Sequence, residues 1–254
     1  MRVIRPAALA AHERRRGLLL AFTMLSVGVL GAMLAVLVSM PSMAASALMA
    51  IAAALGLGIG AAWLVRALRP DPVRGRAAAL EALLGEAFNE DYTLLLAPRL
   101  PIRAAGLSGL LVGPPGVRVL TVREWEGRYR VRGRGWEFDA GRRGWIACRT
   151  NPSFELTRLV DGVTRWSADA GLVNVPLRGA IVFPGGRSRL VLEEPSDEIV
   201  TADNVPWWAN RIGRLQRLDA VAVARFVERV IDAAEAEAAR ATTASPVMSR
   251  ERQG

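Results

Sequence analysis

Arg128, Arg130, Arg132 and Arg134 stand at alternate positions in "GRYRVRGRGW", and on a β-strand that spacing projects all four from one face, about 7 Å apart. A row of guanidinium groups at this interval suits the phosphates of a nucleic acid or of anionic lipid headgroups. It equally suits a solvated edge strand, where charge discourages aggregation. Residues 99 to 149 hold eleven Arg against four acids, so this is the locally basic part of the chain. Trp125, Tyr129 and Trp136 interleave with the arginines, either to stack on bases or to fill a core.

Nucleophilic chemistry has little to work with. Cys148 is the single cysteine and His12 the single histidine, and His12 precedes a long apolar run. A thiol or serine–histidine hydrolase needs a base beside its nucleophile, and no such pair is offered. One cysteine also excludes an intrachain disulfide and a cysteine-based metal cluster, which suits a reducing compartment. Cys148 reads as a small packed residue.

The elements that position these residues begin with the membrane. From Gly17 to Val65 there is no charged residue, and as one helix that run would be about 73 Å long against a hydrocarbon core of about 30 Å. It must turn back, and Met40-Pro41-Ser42-Met43 supplies the break because proline denies a helix donor. Two spans follow, near 17–39 and 44–65. A cleaved signal peptide is the alternative for "RRR" followed by an apolar run, but the first run is long for one and a second span follows at once. Arg2, Arg5 and Arg14 to Arg16 precede the first span, Arg66, Arg69, Arg74 and Arg76 follow the second, and the connecting turn is uncharged. This bias puts both termini in the cytoplasm and the protein in the inner membrane as a multi-pass chain.

The same bias accounts for much of the net charge of +9: residues 1 to 69 hold seven Arg against Glu13 alone, whereas residues 70 to 254 hold 26 Arg against 23 acids. The high basicity is thus mainly a topology signal. In the spans, Gly56 and Gly60 form a GxxxG spacing and Gly28 with Gly31 offers a second small-residue face. Both serve either close packing of the hairpin or an oligomer.

Beyond the spans the chain divides as a basic N-terminus (1–16), the spans (17–66), a proline-containing linker (67–75), one α+β domain (76–240) and a tail from Ala241 that lacks apolar pattern and is expected to be disordered. Arg76 to Phe88 has helical spacing, and "DYTLLLAPRLPI" reads as a strand ended by proline. The runs Gly106 to Gly113 and Gly116 to Arg123 flank Pro114-Pro115-Gly116 as a hairpin, and Gly127 to Arg134 is a third strand. Asn151-Pro152 supplies an N-cap with proline at N1 for a helix carrying Leu156, Leu159, Val160, Val163 and Trp166. "LRGAIVFPGG" and "SRLVLEE" are short strands, and Leu218 to Arg240 is a long final helix. Trp207-Trp208 reads as core beneath that helix or as an interfacial anchor.

This order, helix, strand, hairpin, strand, helix, strand, resembles the restriction-endonuclease-like core, and between about Gly75 and Pro184 the chain resembles the nuclease-related domain family, NERD. The residues that carry the likeness are Leu107-Ser108, "VGPPGV", Thr121-Val122-Arg123, Gly127 and Trp136, and Asn151-Pro152. The resemblance implies a mixed sheet flanked by helices, with an Asp, a Glu and a Lys at the positions of Ser108, Thr121 and Arg123 to hold a divalent metal and position the attacking water. The family's acid early in the first helix falls near Arg76.

Here those three positions are substituted. Neutral hydroxyls lack the charge that binds Mg²⁺, and Arg123 stays protonated and cannot act as a base. Strand alternation puts Glu124 on the face opposite Thr121 and Arg123, so it is badly placed as a replacement, and Glu126 already approaches a turn. No catalytic residue, metal or cofactor is therefore expected. Arg123, Arg128, Arg130, Arg132 and Arg134 remain as candidates for binding nucleic acid or another anionic partner. The alternatives are a nuclease with relocated acids and a membrane scaffold that binds only protein or lipid.

Overall fold

The runs Thr93–Leu96, Gly109–Gly113 and Gly116–Val122 are apolar at consecutive rather than alternate positions, and such strands need cover on both faces. The computed structural model, which describes residues 1–5, 8–37, 43–68, 72–172 and 174–243, supplies that cover in an α+β globular unit with a mixed sheet and flanking helices. In chain order the elements are β1 (Arg2–Ile4), α1 (Ala8–Leu37), α2 (Met43–Leu68), α3 (Pro72–Gly85), β2 (Thr93–Leu96), β3 (Gly109–Gly113), β4 (Gly116–Val122), β5 (Gly127–Gly133), β6 (Gly135–Asp139), β7 (Trp145–Ala147), α4 (Pro152–Asp169), β8 (Leu177–Phe183), β9 (Ser188–Pro195), β10 (Glu198–Thr201), α5 (Val205–Gly213) and α6 (Ala220–Thr243).

The large sheet has the order β1-β2-β3-β4-β8-β10, and the small sheet β7-β6-β5-β9. In the large sheet β3 runs antiparallel to both its neighbours, while β1 pairs with β2, β4 with β8 and β8 with β10 in parallel. Five strands therefore end at one common edge. One face packs Leu111, Leu120 and Val182 against Leu80 and Leu84 of α3 and Trp208 and Ile212 of α5. The other packs Leu110, Val117 and Val119 against Leu159 and Val163 of α4 and Phe226 and Val230 of α6. Each such buried side chain contributes about 1.5–3 kcal/mol. The small sheet meets the large one through Val131, Trp136, Leu156, Ile181 and Phe183.

The chain divides into two units, Met1–Pro6 with Pro72–Gly254, and Ala7–Asp71. This corrects the boundaries read from the sequence. Residues 1–16 are not simply a basic lead-in, because Val3 pairs with Leu94 and Ile4 with Leu95 at the rim of the large sheet. Three residues are too few to show a strand period, so this pairing has no sequence signal. The linker 67–75 is likewise too long: α3 starts at Pro72, since proline is tolerated in a first helical turn. The first expected strand shrinks to Thr93–Leu96, and Ala97 follows it with φ of 43°. Gly116 does need its glycine, because at φ of 107° a Cβ would lie 2.4 Å from the Pro176 carbonyl oxygen. The last helix runs to Thr243, past the expected start of the tail at Ala241, and residues 244–254 lie outside the described residues.

In the second unit α1 and α2 pack closely. A Cβ on Gly28 would lie 2.7 Å from the Leu57 nitrogen, and one on Gly60 2.9 Å from the Leu25 nitrogen. The small-residue faces are thus turned on each other. Ala47–Val65, with mean hydropathy 2.2, is long and apolar enough to cross a membrane by length and composition, while the apolar stretch Leu18–Leu34 is shorter. The expected break at Met40-Pro41-Ser42 lies outside the described residues.

Candidate functional site

The β3–β4 hairpin brings Ser108, Thr121 and Arg123 together. Gly109 pairs with Leu120, so one further step of the register sets Ser108 opposite Thr121, and Arg123 follows Thr121 on the same face. Ser108 and Thr121 are both buried. The Ser108 hydroxyl accepts a hydrogen bond from the Val122 backbone N–H at 3.0 Å, and its own proton is within reach of the Gly106 carbonyl at 3.4 Å. The hydroxyl is thus committed to closing the sheet edge.

Arg123 is half-buried and forms an ion pair with Glu155, in the first turn of α4. Asn151 caps that helix as the sequence suggests, accepting from the N–H groups of Ser153 at 2.9 Å and Phe154 at 3.4 Å. Burial, and after it the positive charge of Arg76, pushes the Arg123 guanidinium below its usual value. Its Nε is buried and has no partner among the described residues. Where a metal-binding core would set carboxylates around a cation, this one sets a guanidinium beside two hydroxyls and one carboxylate.

Neighbouring acids are also engaged by arginine. Glu124 lies on the opposite face, as alternation requires, 3.5 Å from Arg76 of α3, and Glu126 pairs with Arg187 at 2.7 Å. A cavity of about 750 Å³ opens along this edge, lined in part by Arg123, Glu124, Trp125, Glu126, Gly186 and Arg187. Its charges of both signs are matched. Among the described residues no three of His, Cys, Asp and Glu converge in a way that could hold a metal ion.

The arginine row forms, but the small sheet neutralises most of it. Arg130 donates to Glu137 directly across on β6, with Nε at 2.7 Å, and Arg132 to Glu193 on β9 at 2.8 Å. Arg128 lies 3.5 Å from Asp139. Arg128 and Arg130 also cover the Trp145 ring, at 5.4 and 4.8 Å from its centre. Arg134 falls in the turn after β5 and is exposed. With Arg142, Arg143 and Arg149, it is an exposed arginine with no ion-pair partner among the described residues. Of the aromatics, Trp136 is core: it is buried against Phe183 and donates its indole N–H to the Ser153 hydroxyl at 2.9 Å. Trp125 packs edge-on to Trp136, and Tyr129 tilts against Trp125.

Two groups were not singled out by sequence reasoning. Glu155 had one available signal, an acid in the first turn of a capped helix. The other is Arg118, only 2% exposed, which pairs with Glu198 of β10 at 3.1 Å. Glu198 also accepts from the Trp208 indole at 2.8 Å and lies 3.6 Å from Arg211. Burial lowers the Arg118 value and Glu198 opposes that shift. Trp208 is thereby fixed in the core, while Trp207 is exposed beneath Arg211.

Compared with known proteins, the chain matches no family model, no curated protein and no solved structure.

Proposed function

We propose that this chain is an inner-membrane protein whose cytoplasmic globular unit keeps a restriction-endonuclease-like, NERD-like scaffold without its metal chemistry, and that the unit binds an anionic partner, nucleic acid or lipid headgroups, rather than hydrolysing one. The observation that carries the reading is the Arg123–Glu155 pair beside Ser108 and Thr121. A positive charge occupies the neighbourhood where hydrolysis would need a divalent cation. The strand order β2-β3-β4-β8, with helices α3 and α4 at their places in the chain, supports the scaffold.

The membrane part of the reading is supported from two sides. Leu19, Phe22, Val27, Leu30, Leu48, Ile51 and Leu55 are all exposed on α1 and α2, a surface that suits lipid better than water. Because β1 and β2 share a sheet, the chain leaves the globular unit after Pro6 and returns at Pro72. An apolar insertion with both ends in one unit crosses a bilayer an even number of times. The flanking arginines then favour the cytoplasm for both ends.

Anion binding falls to the exposed arginines that the small sheet leaves without acids, Arg134, Arg142, Arg143 and Arg149. The full chain in lipid nanodiscs is the material for the test, since a fragment starting near Pro70 would lack β1. Titration with Mg²⁺ and Mn²⁺ is expected to give no saturable binding, and a plasmid-nicking assay no cleavage. Metal-dependent cleavage that disappears in Glu124→Ala or Glu126→Ala would instead establish a nuclease with a relocated site.

A further inference from the structure

In the cavity beside Arg123 opposite charges close on each other. A second cavity, toward the other end of the β3–β4 hairpin, keeps its charges apart. It opens between the end of α3 and the length of α5 and has a volume of about 750 Å³, a size usual for a small-molecule site. Leu83, Phe88, Val205 and Ala209 give it an apolar wall, and Glu86, Asp91, Tyr92, Asn210 and Arg217 supply polar groups. Glu86, Asp91 and Arg217 make no ion pair among the described residues. Asp91 accepts only from the Asn89 amide, at 3.0 Å.

The polar end of this cavity is held firmly. Phe88 and Tyr92 have ring centres 4.7 Å apart, and Phe88 meets the buried Trp208 edge-on at 5.6 Å. The Tyr92 ring lies over Gly113, where there is no room for a Cβ. Tyr92 is therefore only 8% exposed, yet its hydroxyl has no hydrogen-bond partner among the described residues and is not sealed off, so it opens on the cavity that the residue lines. A phenol enclosed to this degree normally has a partner. Burial raises the Tyr92 hydroxyl, the charges of Arg217 and Arg118 oppose that rise and Asp91 adds to it, so the oxygen feels charges of both signs. Arg217 is kept at the rim because the next residue, Leu218, donates its backbone N–H to the Pro114 carbonyl in the hairpin turn at 2.6 Å.

We propose that this cavity binds a small zwitterion with an apolar side chain, a free amino acid or a short peptide. Its carboxylate meets Arg217 and the Tyr92 hydroxyl, its ammonium meets Asp91 and Glu86, and its side chain lies on Phe88 and Ala209. A simple anion would leave both acids unmatched, and a simple cation would face Arg217. The inference is independent of the membrane reading and of the readings of Ser108, Thr121 and Arg123.

Calorimetric titration of the full chain in lipid nanodiscs, with empty nanodiscs as the blank, uses phenylalanine and glycyl-phenylalanine as probes. Saturable binding of at least one is expected. The amide of the bound probe, which lacks the carboxylate, and its N-acetyl derivative, which lacks the ammonium, are each expected to bind more weakly by about tenfold, the loss of one charge-assisted contact. Arg217→Gln is expected to weaken the zwitterion by a similar factor and to leave the amide unaffected, and Tyr92→Phe to weaken the zwitterion several-fold. Gly213→Leu fills the cavity from α5, at a position where a Cβ meets nothing within 4 Å, and is expected to abolish binding without lowering the thermal midpoint. Absence of saturable binding by both probes would overturn the proposal. So would equal binding of either derivative, or affinity unchanged in Arg217→Gln and Gly213→Leu.

Discussion

The two sheets of the globular unit use arginine in opposite ways. In the large sheet Arg118 and Arg123 are wholly or half-buried, each with one carboxylate from a distant element, Glu198 and Glu155. In the small sheet Arg128 and Arg132 make cross-strand pairs on a face open to water, while Arg130, about as enclosed as Arg123, pairs with Glu137. A buried charge has no solvent to replace its partner, so the pair becomes part of the fold. An exposed pair exchanges readily with water and contributes little. The difference teaches that exposed members of a regular, conspicuous row of charge can be energetically quiet while one isolated arginine buried in an apolar strand, Arg118, matters more.

Removing a partner from each sheet sharpens this contrast most. Glu198→Ala leaves Arg118 buried and unpaired and is expected to cost about 3–5 kcal/mol, read as a large fall in midpoint when thermal unfolding in detergent is followed by tryptophan fluorescence. Glu193→Ala, which frees only the exposed Arg132, is expected to leave that midpoint unchanged within error. Similar losses in both would break the comparison.

A smaller effect is expected where the sheets meet. Ser153→Ala removes the acceptor for the buried Trp136 indole and is expected to destabilise by about 1–2 kcal/mol, the cost of an unsatisfied buried donor. A denaturant titration with unchanged slope and a lower midpoint would register it.

Alkali acts on both sheets in the same direction. Burial raises the Cys148 thiol and the hydroxyls of Tyr92 and Tyr129. The native state then holds these protons longer than the unfolded chain does. Stability from this source is complete below the unfolded values, about 8.5 for the thiol and 10 for tyrosine, and is lost as pH rises from them through the raised native values. Unfolding midpoints measured from pH 8 to 11 are expected to fall, beginning more gently in Cys148→Ser than in the parent.

The least change is expected from the row itself. Alanine at Arg128, Arg130 and Arg132 together removes three cations but also releases three acids. The resulting loss of affinity for a labelled oligonucleotide or anionic vesicle is expected to be smaller than that from alanine at Arg134, Arg142, Arg143 and Arg149. A steeper loss from the row, with a larger reduction in salt dependence, would restore the row as the binding surface.

The α4 cap was readable because Asn151, Pro152 and the turn they start are adjacent in the chain. So were the Pro114-Pro115-Gly116 hairpin turn and the placing of Glu124 across the strand from Arg123. The partners were not readable: Glu137 lies seven residues from Arg130, Glu155 lies 32 from Arg123 and Glu198 lies 80 from Arg118. Strand period says that a side chain points from a given face, but it does not say what lies opposite.

Local chemistry alone therefore settled the turns, the capped helix and the apolar runs, because each depends on residues close in sequence. Tertiary pairing settled which arginines are spent and which are available, and it recruited Arg2–Ile4 into a sheet begun ninety residues later. Coulomb attraction and burial depend on distance in space, and that distance exists only once the strands have found their register.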